Sequence, residues 1–90
     1  MGQLRDLRDF ILIARATQGA GDFHERIRGA VRLAAASLPE VAWRADFDVG
    51  PGEHVEIFGA PDSGYARKVS ELVTAIPGVR AEIAPLGKGW

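Results

Sequence analysis

The sequence predicts one α+β domain whose elements follow the order strand, helix, strand, strand, helix, strand. Four segments are rich in β-branched and aromatic residues or alternate between polar and apolar positions, as strands do. Two stretches between them carry apolar residues at helical spacing. The length of 90 residues fits a single domain, and 47% hydrophobic with 26% charged residues is typical of a globular chain.

The first strand and the first helix are predicted from residues 10–38. Residues 10–16 (FILIARA) form the strand, and a loop follows it. We expect Asp22 to cap the helix, with Glu25 as its capping-box partner. The helix ends near Ser37, because Pro39 cannot continue it. Its apolar stripe consists of Ile27, Ala30, Val31, Ala34 and Leu38.

A β-hairpin is predicted next. Residues 41–49 (VAWRADFDV) alternate cleanly, residues 50–52 (GPG) form the turn, and residues 54–60 (HVEIFGA) return as the third strand. In the first of these strands, Trp43 and Phe47 share one face. The other face carries the carboxylates of Asp46 and Asp48 together with Arg44.

The second helix and the fourth strand complete the order. Asp62 or Ser63 caps the helix, whose buried stripe is expected to comprise Tyr65, Val69, Leu72, Val73 and Ile76. Pro77 and Gly78 end it, and Gly78 is expected to adopt a positive φ. The last strand covers residues 79–86.

Strand–helix–strand units of this length cross over right-handed, so both helices should cover one face of a four-stranded antiparallel sheet. This is the ferredoxin-like arrangement, with residues 1–90 as one domain, residues 1–8 as an N-terminal extension and residues 87–90 as a tail. The residues expected to face the helices are Phe10, Leu12, Ala14, Trp43, Phe47, Val55, Ile57, Val79, Ala81 and Ile83. The residues expected on the open face are Ile11, Ile13, Arg15, Arg44, Asp46, Asp48, His54, Glu56, Phe58, Arg80, Glu82 and Leu86.

Residues 52–86 resemble the second half of the GYD-domain family, small proteins of the dimeric α/β-barrel superfamily. The similarity lies in an apolar strand that ends in Ala60-Pro61-Asp62, a helix, and a strand that opens at Gly78-Val79. Where that family usually has Gly-Tyr-Asp, this chain has Gly52-Glu53-His54. The resemblance implies a homodimer with two sheets packed face to face, and it brings no established catalytic residues. The open-face residues Ile11, Ile13, Phe58 and Leu86 are then expected to form the apolar part of the dimer contact.

Composition excludes several classes of function. The chain has no cysteine, so disulfides, thiolate metal sites and cysteine nucleophiles are absent. Eleven basic residues against twelve acidic ones leave no basic excess for nucleic acid or for a membrane surface. Since no signal peptide and no run of about 18 apolar residues is present, we expect a soluble, cytoplasmic protein.

The candidate site residues are His54, Glu56, Arg15 and Arg44, all expected on the open face of the sheet. A histidine beside a carboxylate can act as a general base near neutral pH, and the arginines can hold an anion. His54 and Glu56 have a spacing that suits a metal, but no third ligand is evident, so we expect neither metal nor cofactor. The other histidine, His24, is expected in the first helical turn, in solvent.

Two functional hypotheses follow. The first is a binding or assembly module that takes a small ligand or a protein partner. The alternative is a cofactor-independent enzyme of the monooxygenase, isomerase or cyclase type, with His54 as general base. A regulatory domain fused to DNA-binding helices is less favoured, because only nine residues precede the predicted first strand.

Overall fold

The computed structural model describes residues 6–18 and 21–86, and its elements follow the predicted order. They are β1 (Arg8–Ala16), α1 (Phe23–Ser37), β2 (Ala42–Asp48), β3 (Glu53–Ala60), α2 (Ser63–Thr74) and β4 (Val79–Pro85). The strands form one antiparallel sheet in the order β2-β3-β1-β4. The ferredoxin-like prediction is therefore confirmed. The tail at residues 87–90 and most of the N-terminal extension lie outside the described residues.

The helix ends show which local signals the chain uses. The Asp62 carboxylate accepts a hydrogen bond from the backbone N–H of Tyr65 at 3.1 Å and so caps α2. Gly78 has φ +79°, the positive value predicted for the turn into β4. The capping box predicted for α1 is wrong, because the Asp22 carboxylate caps no backbone N–H and instead accepts from Arg26 Nε at 3.0 Å.

The core lies between the two helices and one face of the sheet. Phe10, Leu12 and Ala14 of β1 are at most 5% exposed, as predicted. The helices contribute Phe23, Ile27, Ala30, Ala66, Val69 and Val73 to the same cluster. Trp43, Ala81 and Ile83 pack against it while remaining half-buried.

The predicted orientation of β3 is wrong by one residue. His54, Glu56 and Phe58 face the helices and are at most 4% exposed, whereas Val55 and Ile57 lie on the open face. The cause is Phe58, whose ring lies 5.9 Å from that of Phe10, centroid to centroid, in a stacked arrangement. Because side chains alternate along a strand, placing Phe58 in the core also turns Glu56 and His54 inward.

The faces of β2 change at a β-bulge. Trp43 pairs with Phe58 and Ala45 pairs with Ile57, so Arg44 is the extra residue between them. Trp43 therefore faces the helices as predicted, with its ring 5.4 Å from that of Phe58. Beyond the bulge the faces are exchanged, and Phe47, predicted in the core, is 52% exposed on the open face.

The bulge also brings Asp46 and Asp48 to the helix-covered face, where they pair with Glu56 and His54. Their predicted place on the open face is wrong for the same reason as that of Phe47.

The open face is more apolar than predicted. Cross-strand pairs join Ile11 to Ile57, and Val55 pairs with both Ile13 and Phe47. We call these five residues the open-face patch. Phe58, predicted there, is fully buried in the core, and Leu86 follows β4 with 38% of its surface exposed.

Candidate functional site

The four predicted site residues fall on opposite faces of the sheet. Arg15 lies on the open face with Glu53 and Glu82, each at 3.5 Å. The Arg44 guanidinium passes over Gly59 on that face and contacts Asp9 at 3.1 Å. His54 and Glu56 lie beneath the helices. The structure therefore brings His54 and Glu56 together and separates them from both arginines.

His54 is held between two carboxylates. Its Nε2–H donates to Glu56 Oε1 at 2.8 Å, and its Nδ1–H donates to Asp48 Oδ1 at 2.7 Å. Only 1% of His54 and 4% of Glu56 is exposed. A ring that donates from both nitrogens is an imidazolium, so this is a buried charged pair.

The titration of these groups follows from their contacts. The hydrogen bond to Glu56 raises the pKa of His54 above its ordinary 6.5, with further support from Asp48, and burial opposes the shift. The hydrogen bond from His54 lowers the pKa of Asp48 below its ordinary 3.8. Both carboxylates thus favour the protonated form of His54.

A general-base role for His54 has no support in this geometry. Both ring nitrogens are engaged in hydrogen bonds, and the side chain is 99% covered by protein. A base must reach the proton that it abstracts. The feature that motivated the enzyme hypothesis, a histidine open to substrate on the sheet face, is not what the structure forms.

His24 joins the cluster from α1. Its Nε2–H donates to the Gly50 carbonyl oxygen at 2.8 Å, which leaves Nδ1 as the free ring nitrogen. Nδ1 lies 3.0 Å from Asp48 Oδ1, but it is buried and makes no aligned hydrogen bond. Arg28, one turn further along α1, contacts the other oxygen of Asp48. The expectation of a solvated His24 is wrong, because the hairpin turn reaches back to α1.

Beside the cluster, a cleft of about 200 Å³ opens between α1 and the sheet. Its lining residues are Arg28, Val31, Arg32, Asp46 and Glu56. Of the lining residues, Arg32 and Asp46 are exposed, whereas Glu56 is buried. The cleft therefore combines two guanidinium groups with two carboxylates in a small space.

Two groups of three side chains within residues 6–18 and 21–86 have ligand atoms close enough to share a cation. One comprises His24, Asp48 and His54, and the other Asp46, His54 and Glu56. The ligand atoms of each group lie within 4.8 Å of one another. The third ligand that the sequence did not reveal is thus available on neighbouring elements. Asp48 was visible in the sequence, but its partners depend on the bulge.

No protein-family model matches the chain, and no curated protein matches it significantly. Solved structures share its fold, and three of them illustrate the likeness. The C-terminal domain of the MgtC protein from Mycobacterium tuberculosis is 9% identical with a TM-score of 0.66, covering 97% of this chain and 98% of that one. The ACT domain from GTP pyrophosphokinase of Chlorobium tepidum is 12% identical with a TM-score of 0.62, covering 88% and 100%. A transcriptional regulatory protein of the AsnC family from Pyrococcus furiosus is 22% identical with a TM-score of 0.56, covering 92% and 55%.

The chain is thus a small domain with the ferredoxin-like fold. At these identities the likeness concerns the fold alone. Among the described residues, no helix is long and apolar enough to cross a membrane.

Proposed function

We propose that this domain is a small regulatory binding module, and that its ligand occupies the cleft between α1 and the sheet. The observation that carries the proposal is the set of opposite charges lining that cleft, one of which is the buried carboxylate of Glu56. Binding sites commonly pair a concave surface with a few convergent polar groups. Two structural neighbours, an ACT domain and a transcriptional regulatory protein, support a regulatory role.

The charges of the cleft define the class of ligand. Arg32 can hold an anionic group at the mouth, and Asp46 with Glu56 can accept hydrogen bonds from a cationic group. Pockets for drug-sized molecules hold about 300 to 1,000 Å³. A cleft of about 200 Å³ accordingly suits a compact zwitterion, such as a free amino acid.

A titration of the ¹⁵N-labelled chain with each of the twenty free amino acids tests this proposal. We expect chemical-shift changes at the cleft for a subset of them, and none with acetate or ethylamine, which carry only one of the two charges. Arg32→Ala should weaken binding more than about tenfold, the loss of one charge-assisted hydrogen bond. The control Arg67→Ala, an exposed position on α2, should bind normally. Equal binding by both variants, or binding of no amino acid, would refute the cleft as the site.

We also propose that two copies pair through the open-face patch. One end of this face carries Arg15, Glu53 and Glu82, so its charged rim contains both signs and can complement itself about a two-fold axis. The patch supplies the apolar centre, and burying the exposed half of Phe47 should contribute about 1 kcal/mol per copy.

Light scattering at micromolar concentration tests the dimer. Phe47→Asp should convert it to a monomer, because two carboxylates would be buried in the contact. Leu33→Asp is the matched control, since Leu33 is 57% exposed on α1 and lies away from the open face. A wild-type chain with the mass of a single copy would contradict the proposal.

Membership of the GYD-domain family remains a hypothesis that rests on residues 52–86. A cytoplasmic location and the absence of a nucleic-acid partner likewise stay predictions from composition. A pairing of two sheets face to face would support the family relationship at the level of assembly.

A further inference from the structure

Three ligand atoms of types that transition metals prefer converge at one end of the helix-covered face. They are His24 Nδ1 from α1, Asp48 Oδ1 at the end of β2, and His54 Nδ1 near the start of β3. The Asp48 oxygen lies 3.0 Å from the His24 nitrogen and 2.7 Å from the His54 nitrogen. The cluster joins three elements that the hairpin turn and the bulge bring together.

These distances are close to those of an assembled metal site. With bonds of about 2.0–2.1 Å, neighbouring ligand atoms of a tetrahedral zinc site lie about 3.3 Å apart. The two separations from the Asp48 oxygen need to widen by about 0.3 and about 0.6 Å to admit the ion, and the two ring nitrogens lie within 4.8 Å of each other. Small rotations of the Asp48 and His24 side chains suffice, since both are partly exposed.

Both histidines already have the outer partner that metal-ligating histidines require. Such residues donate their second ring N–H to a carboxylate or a backbone carbonyl, which orients the ring and directs the other nitrogen at the metal. Here His24 Nε2–H donates to the Gly50 carbonyl, and His54 Nε2–H donates to Glu56. In each ring Nδ1 is the nitrogen that faces the cluster. The Nδ1 of His54 carries a proton in the metal-free protein, and the ion would displace that proton to solvent, because a ligating imidazole must be neutral.

His24 Nδ1 is an independent sign of a missing partner. It is a buried nitrogen without a hydrogen bond among the described residues. Buried polar atoms normally find a partner, and a bound ion is one explanation for an atom that lacks one.

The surrounding charges admit a cation. Arg28 contacts Oδ2 of Asp48, which leaves Oδ1 for the metal, and the positive charge of His54 is lost when the ion replaces its Nδ1 proton. The negative charges of Asp46 and Glu56 offset the positive charge of Arg28. Together with His54, these two carboxylates form the second possible ligand group.

We propose that His24, Asp48 and His54 bind a divalent transition-metal ion, with a fourth position open to water or to a ligand. Two imidazoles and one carboxylate suit Zn²⁺, Co²⁺ or Ni²⁺, whereas Mg²⁺ and Ca²⁺ prefer oxygen ligands throughout. None of the three ligands lines the cleft proposed for the zwitterion, although that cleft adjoins the metal site through Arg28 and Glu56.

Calorimetry with ZnCl₂ on the EDTA-treated full chain tests the proposal. We expect one ion per chain, and His24→Ala should weaken binding by more than about 100-fold, since loss of an outer partner alone costs 10- to 100-fold. Glu25→Ala, the neighbouring exposed position on α1, is the matched control and should bind as the wild type does. Circular dichroism establishes that both variants are folded.

Co²⁺ provides a second measurement that reports geometry. Binding at this site should produce the intense visible absorption of a tetrahedral nitrogen and oxygen environment, and His24→Ala should abolish it. Absence of Zn²⁺ binding by the wild type, or equal affinity of wild type and His24→Ala, would overturn the proposal. Arg32→Ala should bind Zn²⁺ normally, so failure of the zwitterion proposal and failure of this one are distinguishable.

Discussion

Replacing Glu56 tests whether the buried charged pair is formed as described. Glu56→Leu has a similar volume but leaves the protonated His54 ring with only one carboxylate partner. Removing one partner of a buried pair costs about 3–5 kcal/mol. Since Asp48 still accepts from His54 at 2.7 Å, we expect the lower end, about 3 kcal/mol.

The change is large enough to measure by thermal unfolding. A domain of 90 residues has an unfolding entropy of about 0.19 kcal/mol/K, so a loss of about 3 kcal/mol lowers Tm by about 15 °C. The measurement is made at pH 6 with EDTA, where His54 is protonated and no metal is bound.

Glu56→Gln is the matched variant. Its amide oxygen still accepts from His54 Nε2, so only the charge of the acceptor is lost, and we expect a cost of about 1 kcal/mol. The order of stability should be wild type, Glu56→Gln, Glu56→Leu. If Glu56→Leu is as stable as the wild type at pH 6, Glu56 does not hold a charged His54 in the core.

Three further predictions concern the fold and its pH dependence. Gly78→Ala should lower the free energy of unfolding by about 1 kcal/mol in denaturant titrations, because φ is +79° at this residue. Gly29→Ala within α1 should raise the free energy of unfolding. A change of the same sign in both variants would contradict the backbone argument. Trp43→Ala should lower the free energy of unfolding by about 3 kcal/mol in the same assay, because the half-buried ring packs on Phe58. A decrease of less than about 1 kcal/mol would show that Trp43 is not part of the core. In the metal-free protein, the stabilisation that comes from protonated His54 is fully present below pH 6.5 and is lost as the pH rises through the raised folded-state pKa of His54. The free energy of unfolding should therefore fall toward pH 9. An increase between pH 6 and pH 9 would contradict this prediction.

Much of the architecture could be predicted because its signals are local. The apolar stripe of α1 and the Pro77-Gly78 stop of α2 define elements that the structure reproduces. The Asp62 cap is also a local signal, because it depends only on residues within one helical turn.

The orientation of the hairpin could not be predicted, because it is decided by packing between strands. In β3, both alternating sets contain apolar residues, and alternation alone favoured Val55 and Ile57 for the core. The contacts of Phe58 with Phe10 and Trp43 instead place Phe58 in the core, and Val55 and Ile57 therefore lie on the open face. The bulge at Arg44 then exchanges the faces of β2, which no spacing rule reveals.

The candidate site was predicted in part for the same reason. The proximity of His54 and Glu56 follows from two-residue spacing along a strand and is confirmed at 2.8 Å. The approach of His24 Nδ1 to Asp48 Oδ1 at 3.0 Å joins residues 24 positions apart in the sequence, so it depends on the assembled fold. Arg15 and Arg44 were grouped with His54 only because β3 was assigned the wrong face.

The most direct test of this account is the ¹⁵N and ¹H spectrum of the histidine rings in the metal-free protein at pH 6. We expect both ring nitrogens of His54 to carry slowly exchanging protons, with the shifts of an imidazolium hydrogen-bonded to carboxylates. Glu56→Gln should move the Nε2–H resonance and leave Nδ1–H nearly unchanged. A His54 ring whose protons exchange rapidly, and which titrates near pH 6.5 as an exposed histidine does, would place it on the open face and contradict the site.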